Sequence, residues 1–302
     1  MRQINLKIAI LTALFTCFPL SIVKADISVV TTIKPLHSIV SSIMRGVGEP
    51  NLLLRSNASP HDFKLKPSHV QMLNKADVVF WFGPMLESRM VKSIGIAQKS
   101  ARVITLLKSS KIIFLPSRSR DSEHGHGHGL TDPHIWLSMV NAKTIAFIAK
   151  NALATIDPRN SNSYTMNYNK FVKTLDQLKS DIRPRLTPLK DIPFMVHHDS
   201  FQYFENEFQL NNKGAVMISA EQRPGAKRLS ELRKRVKKYN ITCIFSEPHY
   251  SQKILHSIAN GSPTKIVLID SIGAGLKPGP SLFGNLLKNI SSSMQNCLRR
   301  KT

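Results

Sequence analysis

The chain lacks the features that mark three common functional classes. Its aromatic residues make up only 7% and do not interleave with its lysines and arginines, which are spread along the chain. This pattern argues against a nucleic-acid-binding surface. No His-Glu-x-x-His segment occurs, so the helical motif of many zinc hydrolases is absent. After residue 25 no apolar run is long enough to cross a bilayer. With 42% hydrophobic and 20% charged residues, the rest of the chain is expected to be soluble and globular.

The first 25 residues differ from the rest of the chain. Arg2 and Lys7 precede an apolar run at residues 8–23, and residues 23–25 (VKA) resemble a small-residue cleavage site. This pattern is typical of a secretory signal peptide that is cleaved after Ala25. An uncleaved membrane anchor is the alternative, although a run of about 16 residues is shorter than the ~20 that a spanning helix needs. The mature protein is therefore expected to be exported.

Cysteine is scarce as well. Cys17 lies inside the signal peptide, so cleavage leaves only Cys243 and Cys297. An even pair in an exported protein favours a disulfide in the oxidising compartment.

Acidic residues are few compared with basic ones. The chain has 19 Asp and Glu against 42 Lys and Arg, a formal charge of +23. Loss of Arg2, Lys7 and Lys24 with the signal peptide removes three of these charges and leaves the mature chain near +20. A surface this basic can lie near anionic lipid. A compositional bias toward lysine explains the charge equally well.

Short β-branched runs alternate with amphipathic segments along most of the chain. In the first half the predicted strands are residues 27–32, 51–55, 77–82 and 102–107, with helices at 35–44, 67–75 and 140–155. In the second half the predicted strands are residues 193–197, 214–219, 241–246 and 265–270, with helices at 201–208, 226–239, 252–260 and 281–298. This alternation predicts an α/β fold of two βα lobes, each a roughly four-stranded, mostly parallel sheet with flanking helices.

One long helix is predicted between the two halves. It is indicated by apolar residues that recur at spacings of 3 and 4, namely Tyr164, Tyr168, Phe171, Leu175, Leu178 and Ile182. The helix is expected to end at Pro184 and Pro188. It is either a rigid strut that joins the lobes or an ordinary core helix. As a strut it divides the chain into a first lobe at 26–156, a linking helix at 157–187 and a second lobe at 188–302, with a ligand cleft at the carboxyl ends of the strands.

A histidine-rich loop at residues 121–131 interrupts the first lobe. His124, His126 and His128 alternate with glycine, and His134 follows an Asp-Pro turn just before an apolar segment. Histidine-rich tracts are typical of metal binding, and imidazole suits borderline cations such as zinc. A solvated polar linker is the alternative for the three loop histidines.

Three further candidates lie in turns beside predicted strand ends. His61 follows the second strand, His198 follows the first strand of the second lobe, and Asp270 ends the last strand. Three neutral imidazoles with one carboxylate or water, His134 completing the set, would make a four-coordinate zinc site. Alternation along a strand places His197 and His198 on opposite faces, and His198 is favoured because it lies nearer the strand end.

Two carboxylates could hydrogen-bond these imidazoles. Asp62 and Asp199 each follow a candidate histidine directly, although Asp199 could equally cap a helix. His69 and His256 lie on predicted helices and are expected at the surface.

The chain resembles the metal receptors of bacterial ABC importers (cluster A-I, also called cluster 9), and most closely the ZnuA-type zinc receptors. The resemblance is carried in order by TTIKPLHSIV, ASPHDFKLKPSHVQMLNKADVVFWFGPMLE, DPHIWLS after the histidine loop, HHDSFQYFENEF, EQRPGAKRL, CIFSEPHY and LIDSIGAG. Together these segments cover nearly all of residues 26–298. The resemblance implies two lobes joined by a long rigid helix, with the metal held between them.

The resemblance also implies a ligand set. His61, His134 and His198 match the three histidine ligands, and Asp270 matches the carboxylate available in the second lobe. Manganese receptors of the family carry a carboxylate where His198 stands, so a third histidine favours Zn²⁺. Many zinc receptors carry a glutamate where this chain has Pro60, so water or Asp270 must complete the coordination. The histidine loop is also shorter and less acidic than in many relatives.

Cys243 and Cys297 match a cysteine pair that some relatives join as a disulfide. The resemblance implies a monomeric, non-enzymatic periplasmic receptor that delivers zinc to an inner-membrane permease driven by an ATPase, that contacts the membrane only peripherally and that binds no nucleic acid.

Three other functions are alternatives. A manganese or iron receptor of the same fold is the first, and a basic surface-binding adhesin is the second. The third is an exported zinc hydrolase, which would need a general base near the metal. Glu87, Glu205, Glu221 and Glu247 lie outside the histidine motifs, which argues against such a base.

Overall fold

The computed structural model describes residues 27–55, 58–118, 131–217 and 224–299. The first lobe is built on a four-stranded parallel sheet of order β2-β1-β3-β4. Its strands are β1 (Val29–Thr31), β2 (Asn51–Leu52), β3 (Val78–Trp81) and β4 (Arg102–Thr105). Its helices are α1 (Lys34–Ile43), α2 (Pro67–Asn74), α3 (Val91–Ala97) and α4 (Met139–Ile156).

The second lobe repeats this arrangement. Its sheet has the order β6-β5-β7-β8, again with all neighbours parallel. The strands are β5 (Phe194–His198), β6 (Asn212–Met217), β7 (Cys243–Ser246) and β8 (Lys265–Leu268). The helices are α6 (Gln202–Phe208), α7 (Ala226–Lys238), α8 (Lys253–Ala259) and α9 (Leu282–Leu298). The predicted α/β fold with two four-stranded parallel sheets is confirmed.

The central strands are buried throughout because helices cover both faces of each sheet. Every residue of β1, β3, β5 and β7 is buried. The edge strand β8 is exposed at its two ends, Lys265 and Leu268. Burial on both faces explains why the strands could be recognised from short runs of Val, Ile and Phe.

The long helix α5 (Ser161–Leu186) joins the two lobes. Its 26 residues correspond to roughly 39 Å at 1.5 Å per residue. It packs against α1 and α4 of the first lobe and α9 of the second. All of the predicted apolar stripe except the half-buried Tyr168 is buried.

This helix was expected to end at Pro184 and Pro188, and it ends between these two prolines. The helix runs through Pro184 to Leu186, and a single 3-10 turn follows at Thr187–Leu189. Leu186 is fully buried and Leu189 nearly so, so packing holds the last turn although proline removes one backbone donor. Helix α3 has no counterpart in the sequence prediction, because its seven residues include Gly95 and three β-branched side chains, which lower helix propensity.

The two lobes share much of their interior. Helix α9 packs against α1 and α5. The Ser38 hydroxyl accepts a hydrogen bond from Phe283 N–H at 2.9 Å. The Lys34 Nζ donates to Ala274 O at 2.6 Å. The division of the chain at residues 157 and 188 therefore stays a prediction, since the last helix packs on helices of the first lobe.

A disulfide joins Cys243 on β7 to Cys297 near the end of α9, as expected from the even pair. Among the helices of the described ranges, none combines the length and apolarity needed to cross a membrane. The expected signal peptide at residues 1–25 lies outside the described residues.

Candidate metal centre

Three histidines from three separate segments meet between the lobes. His61 lies in the turn that follows β2, His134 directly precedes the 3-10 turn Ile135–Leu137, and His198 ends β5. One ligand nitrogen from each can be chosen so that all three lie within 4.8 Å of one another. The ring centroids are 5.5, 5.4 and 5.0 Å apart. This spacing leaves room for one ion among the three rings.

His134 is held by the aspartate two residues before it. The Asp132 Oδ1 accepts hydrogen bonds from the backbone N–H of His134 at 2.9 Å and from its Nδ1 at 2.7 Å. Asp132 and His134 are only 3% and 4% exposed. A proton on Nδ1 leaves the Nε2 lone pair free to bind a metal, the usual arrangement of a carboxylate behind a histidine ligand.

His198 is held in the same way by a carboxylate from the neighbouring strand. Its Nδ1 lies 3.1 Å from Glu247 Oε2. The other oxygen of Glu247 accepts a hydrogen bond from the Ser271 hydroxyl. Burial alone would raise the pKa of Glu247, but the hydrogen bond and charge of His198 lower it to about 2. Burial likewise opposes charge on His198, yet Glu247 raises the pKa of this imidazole overall.

Among the described residues no carboxylate hydrogen-bonds the His61 ring, and its backbone N–H donates to Ser59 Oγ at 3.3 Å. Burial, followed by the two neighbouring imidazoles, lowers the pKa of His61 to about 2. The ring is therefore neutral at physiological pH. Its Nε2 lies 3.4 Å from His134 Nε2, and both nitrogens face the same space.

Asp270 is not among the residues of the three-histidine group. Its Oδ1 accepts hydrogen bonds from the backbone N–H groups of Ile272 and Gly273 at 3.0 and 2.9 Å. The side chain thus holds the loop after β8. Its role as a fourth ligand stays a prediction.

The two carboxylates that were expected beside the ligands pair with arginines instead. Arg89 Nη2 donates to Asp62 Oδ1 at 3.2 Å, and Arg118 Nε donates to Asp199 Oδ2, also at 3.2 Å. Helix α6 begins after Phe201 without a side-chain cap, so Asp199 is not its cap either. Sequence reasoning missed Asp132 and Glu247, although Glu247 follows β7 in the same way that His198 ends β5.

His197 directly precedes His198 on β5 and is not one of the three grouped histidines. Its Nδ1 is 3.3 Å from the Ser246 hydroxyl, and its ring packs edge-on against Tyr250, which also contacts the His198 ring. His256 is exposed, as expected, whereas His69 is half-buried and its Nδ1 accepts the backbone N–H of Lys66 at the start of α2. The loop histidines His124, His126 and His128 lie outside the described residues.

Comparison with known proteins places most of the chain in one family. The family model for the periplasmic component A of the zinc-uptake complex, ZnuA, matches residues 29–296. A zinc uptake system protein ZnuA from Brucella abortus is 34% identical, over 89% of this chain and 91% of that protein. One from Yersinia pestis is 31% identical, over 95% and 96%. A crystal structure of ZnuA superposes with a TM-score of 0.78 at 25% identity, covering 91% of this chain and all of that one.

Proposed function

The chain belongs to the ZnuA family of periplasmic zinc-uptake components and is a zinc-binding receptor of an ABC importer, and we propose that His61, His134 and His198 bind its Zn²⁺. The observation that carries the proposal is that three imidazoles from segments far apart in the chain place ligand nitrogens within 4.8 Å of one another. Zinc prefers a tetrahedral set of such nitrogens. Water or Asp270 takes the fourth position, and water is favoured because two backbone N–H groups hold Asp270 Oδ1.

Zinc is favoured over manganese and iron(II) because the group contains three nitrogens and no carboxylate oxygen. Protein purified without added metal is expected to hold one tightly bound zinc per chain, which equimolar manganese does not displace. Metal analysis and competitive calorimetric titration measure both quantities. A chain that retains manganese or iron in preference to zinc would overturn the assignment.

The same titration tests the histidine-rich loop. We propose that His124, His126 and His128 bind further ions weakly and raise the chance of capture. Deletion of residues 123–129 is expected to remove the weak binding, keep the tight ion and slow uptake when zinc is scarce. Unchanged uptake would remove this role.

Zinc affinity is expected to fall with acidification from a pH above 6.5. A histidine must be neutral to bind zinc, and Glu247 raises the pKa of His198 above its ordinary value. Protons therefore compete for His198 at a higher pH than for a free imidazole, whereas His61, with a pKa of about 2, does not take part. Chelator-competition titrations from pH 5.5 to 8 measure the onset.

The matched variant for this experiment is Glu247→Gln, which keeps the shape of the side chain and removes its charge. Burial then dominates at His198, so the onset is expected to move to lower pH, while affinity at neutral pH falls by about 10–100-fold. An onset that does not move would show that Glu247 does not set the proton competition.

We propose that the chain acts without catalysis. A zinc hydrolase needs a general base near its metal, and both oxygens of Glu247 are engaged by His198 and Ser271. Glu87 accepts the backbone N–H groups of Phe82 and Gly83. Glu205 is paired with Arg118, and Glu221 lies outside the described residues.

The family also supports proposals about location and partners. We propose a monomer that is exported, cleaved after Ala25 and retained in the periplasm. It would deliver zinc to an inner-membrane permease with its ATPase, contact the membrane only peripherally and bind no nucleic acid. The exposed lysines of α7, Lys227, Lys234, Lys237 and Lys238, offer one face for peripheral contact with anionic lipid. Zinc uptake by vesicles that contain the permease and ATPase, with and without added receptor, tests the delivery step.

A further inference from the structure

The segments that flank the histidine-rich loop form a short two-stranded stem. Pro116 and Thr131 make an isolated antiparallel bridge. Next to it the Asp132 N–H donates to Leu115 O at 2.9 Å. The second strand of the stem leads directly into His134. The position of this ligand therefore depends on where the stem is held.

Helix α6 of the second lobe holds both strands of the stem. The Tyr203 hydroxyl accepts a hydrogen bond from Leu115 N–H at 3.1 Å and donates one to Asp132 O at 2.8 Å. Beside it the Gln202 Nε2 donates to Pro116 O at 3.1 Å. Tyr203 is only 3% exposed, so water cannot easily replace its hydroxyl. One side chain thus joins the two strands at the point where they meet the opposite lobe.

A charged contact holds the same stem at its other end. Arg118 is the last described residue before the histidine loop. Its Nη1 lies 2.7 Å from Glu205 Oε2 on α6, and its Nε lies 3.2 Å from Asp199. Glu205 is buried and also accepts a hydrogen bond from Asn212 at 2.7 Å. The stem is therefore attached to the second lobe by the Tyr203 hydroxyl, the Gln202 amide and the ion pairs of Arg118.

We propose that Tyr203 is a positioning residue for zinc binding, which acts through Asp132 on His134. This proposal rests on the assignment of His134 as a ligand. Tyr203 holds the backbone carbonyl of Asp132, and the carboxylate of Asp132 holds both the backbone and the Nδ1 of His134. The Nε2 of His134 must point toward the same position as the ring nitrogens of His61 and His198, which lie on other segments. The hydroxyl of Tyr203 thereby fixes the orientation of the His134 ring relative to the second lobe.

The experiment is the variant Tyr203→Phe in the full mature chain. It removes one oxygen, leaves the buried ring in place and deprives Leu115 N–H and Asp132 O of their shared partner. Zinc affinity, measured by chelator competition, is expected to fall about tenfold, at the lower end of the loss seen when residues behind a ligand are changed. With Co²⁺ in place of zinc, the visible absorption bands are expected to shift because the angle of one imidazole changes.

Tyr164→Phe is the matched control. Tyr164 is fully buried, and its hydroxyl donates to Asp157 Oδ2 at 2.9 Å near the start of α5. This variant is expected to lower the melting temperature about as much as Tyr203→Phe and to leave zinc affinity and the Co²⁺ spectrum unchanged. If Tyr203→Phe does not fold, Gln202→Leu, which releases only Pro116 O, is expected to cause a smaller loss of affinity.

Two results separate failure of this inference from failure of the proposed site. If His134→Ala loses zinc but Tyr203→Phe keeps native affinity and spectrum, the positioning role is overturned and the site stands. If His134→Ala binds zinc normally, the ligand assignment itself fails. An equal loss of affinity in Tyr203→Phe and Tyr164→Phe would reduce Tyr203 to a general contribution to stability.

Discussion

Replacement of His61, His134 or His198 by alanine is expected to weaken zinc binding more than about 100-fold in each case. Changing a residue that only supports a ligand costs about 10–100-fold, and removal of the ligand itself must cost more. Each histidine comes from a different segment of the chain, and each supplies its own nitrogen. The two histidines that remain therefore cannot replace the one removed. Calorimetric titration against a competing chelator measures the three losses.

His197→Ala is the control for this series. His197 is as buried as His198 and directly precedes it on β5, but it is not part of the three-histidine group, and its Nδ1 lies 3.3 Å from the Ser246 hydroxyl. Its loss is expected to lower stability. Zinc affinity is expected to change by less than about threefold, because His197 supplies no nitrogen to the three-histidine group. If His197→Ala abolished binding and His198→Ala did not, the assignment of faces on β5 would be reversed.

The second large effect is expected from loss of the disulfide. The bond between Cys243 and Cys297 spans a sequence separation of 54 residues. On the chain-entropy account a loop of this length stabilises the fold by about 4 kcal/mol. The double variant Cys243→Ala with Cys297→Ala is therefore expected to melt roughly 8 °C lower, at about 2 °C per kcal/mol for a chain of this size. Thermal unfolding followed by circular dichroism measures the shift.

The location of the disulfide explains why its loss should affect stability more than zinc binding. It ties α9, which packs on α1 and α5, to the central strand β7, and both cysteines are buried. Neither cysteine contacts the three histidines, so zinc affinity of the double variant is expected to stay within about threefold of native. The native chain unfolded with a reductant present should match the variant. A melting point that falls by less than about 2 °C would contradict the prediction.

Much of the fold could be predicted because its signals are local. Strands buried on both faces appear as short runs of Val, Ile and Phe, as in β3. The stripe from Tyr164 to Ile182 has helical spacing and predicted α5 without any tertiary contact. The structure departs from local signals where packing overrides local preference. Buried Leu186 and Leu189 hold the end of α5 beyond Pro184, and α3 forms although its sequence has weak helix propensity.

The sequence by itself determined which histidines could reach the site. His61, His134 and His198 lie at strand ends or beside packed segments, and alternation along β5 separates His198 from His197. These properties depend only on chain direction and local geometry, so the sequence could predict them. Only the tertiary structure decided what surrounds them. Glu247 reaches His198 because β7 lies beside β5 in the sheet, and Tyr203 reaches Asp132 because α6 packs on the loop stem of the other lobe. Hydrogen bonds between distant segments depend on strand order and on the docking of the lobes, and no pattern of neighbouring residues encodes either.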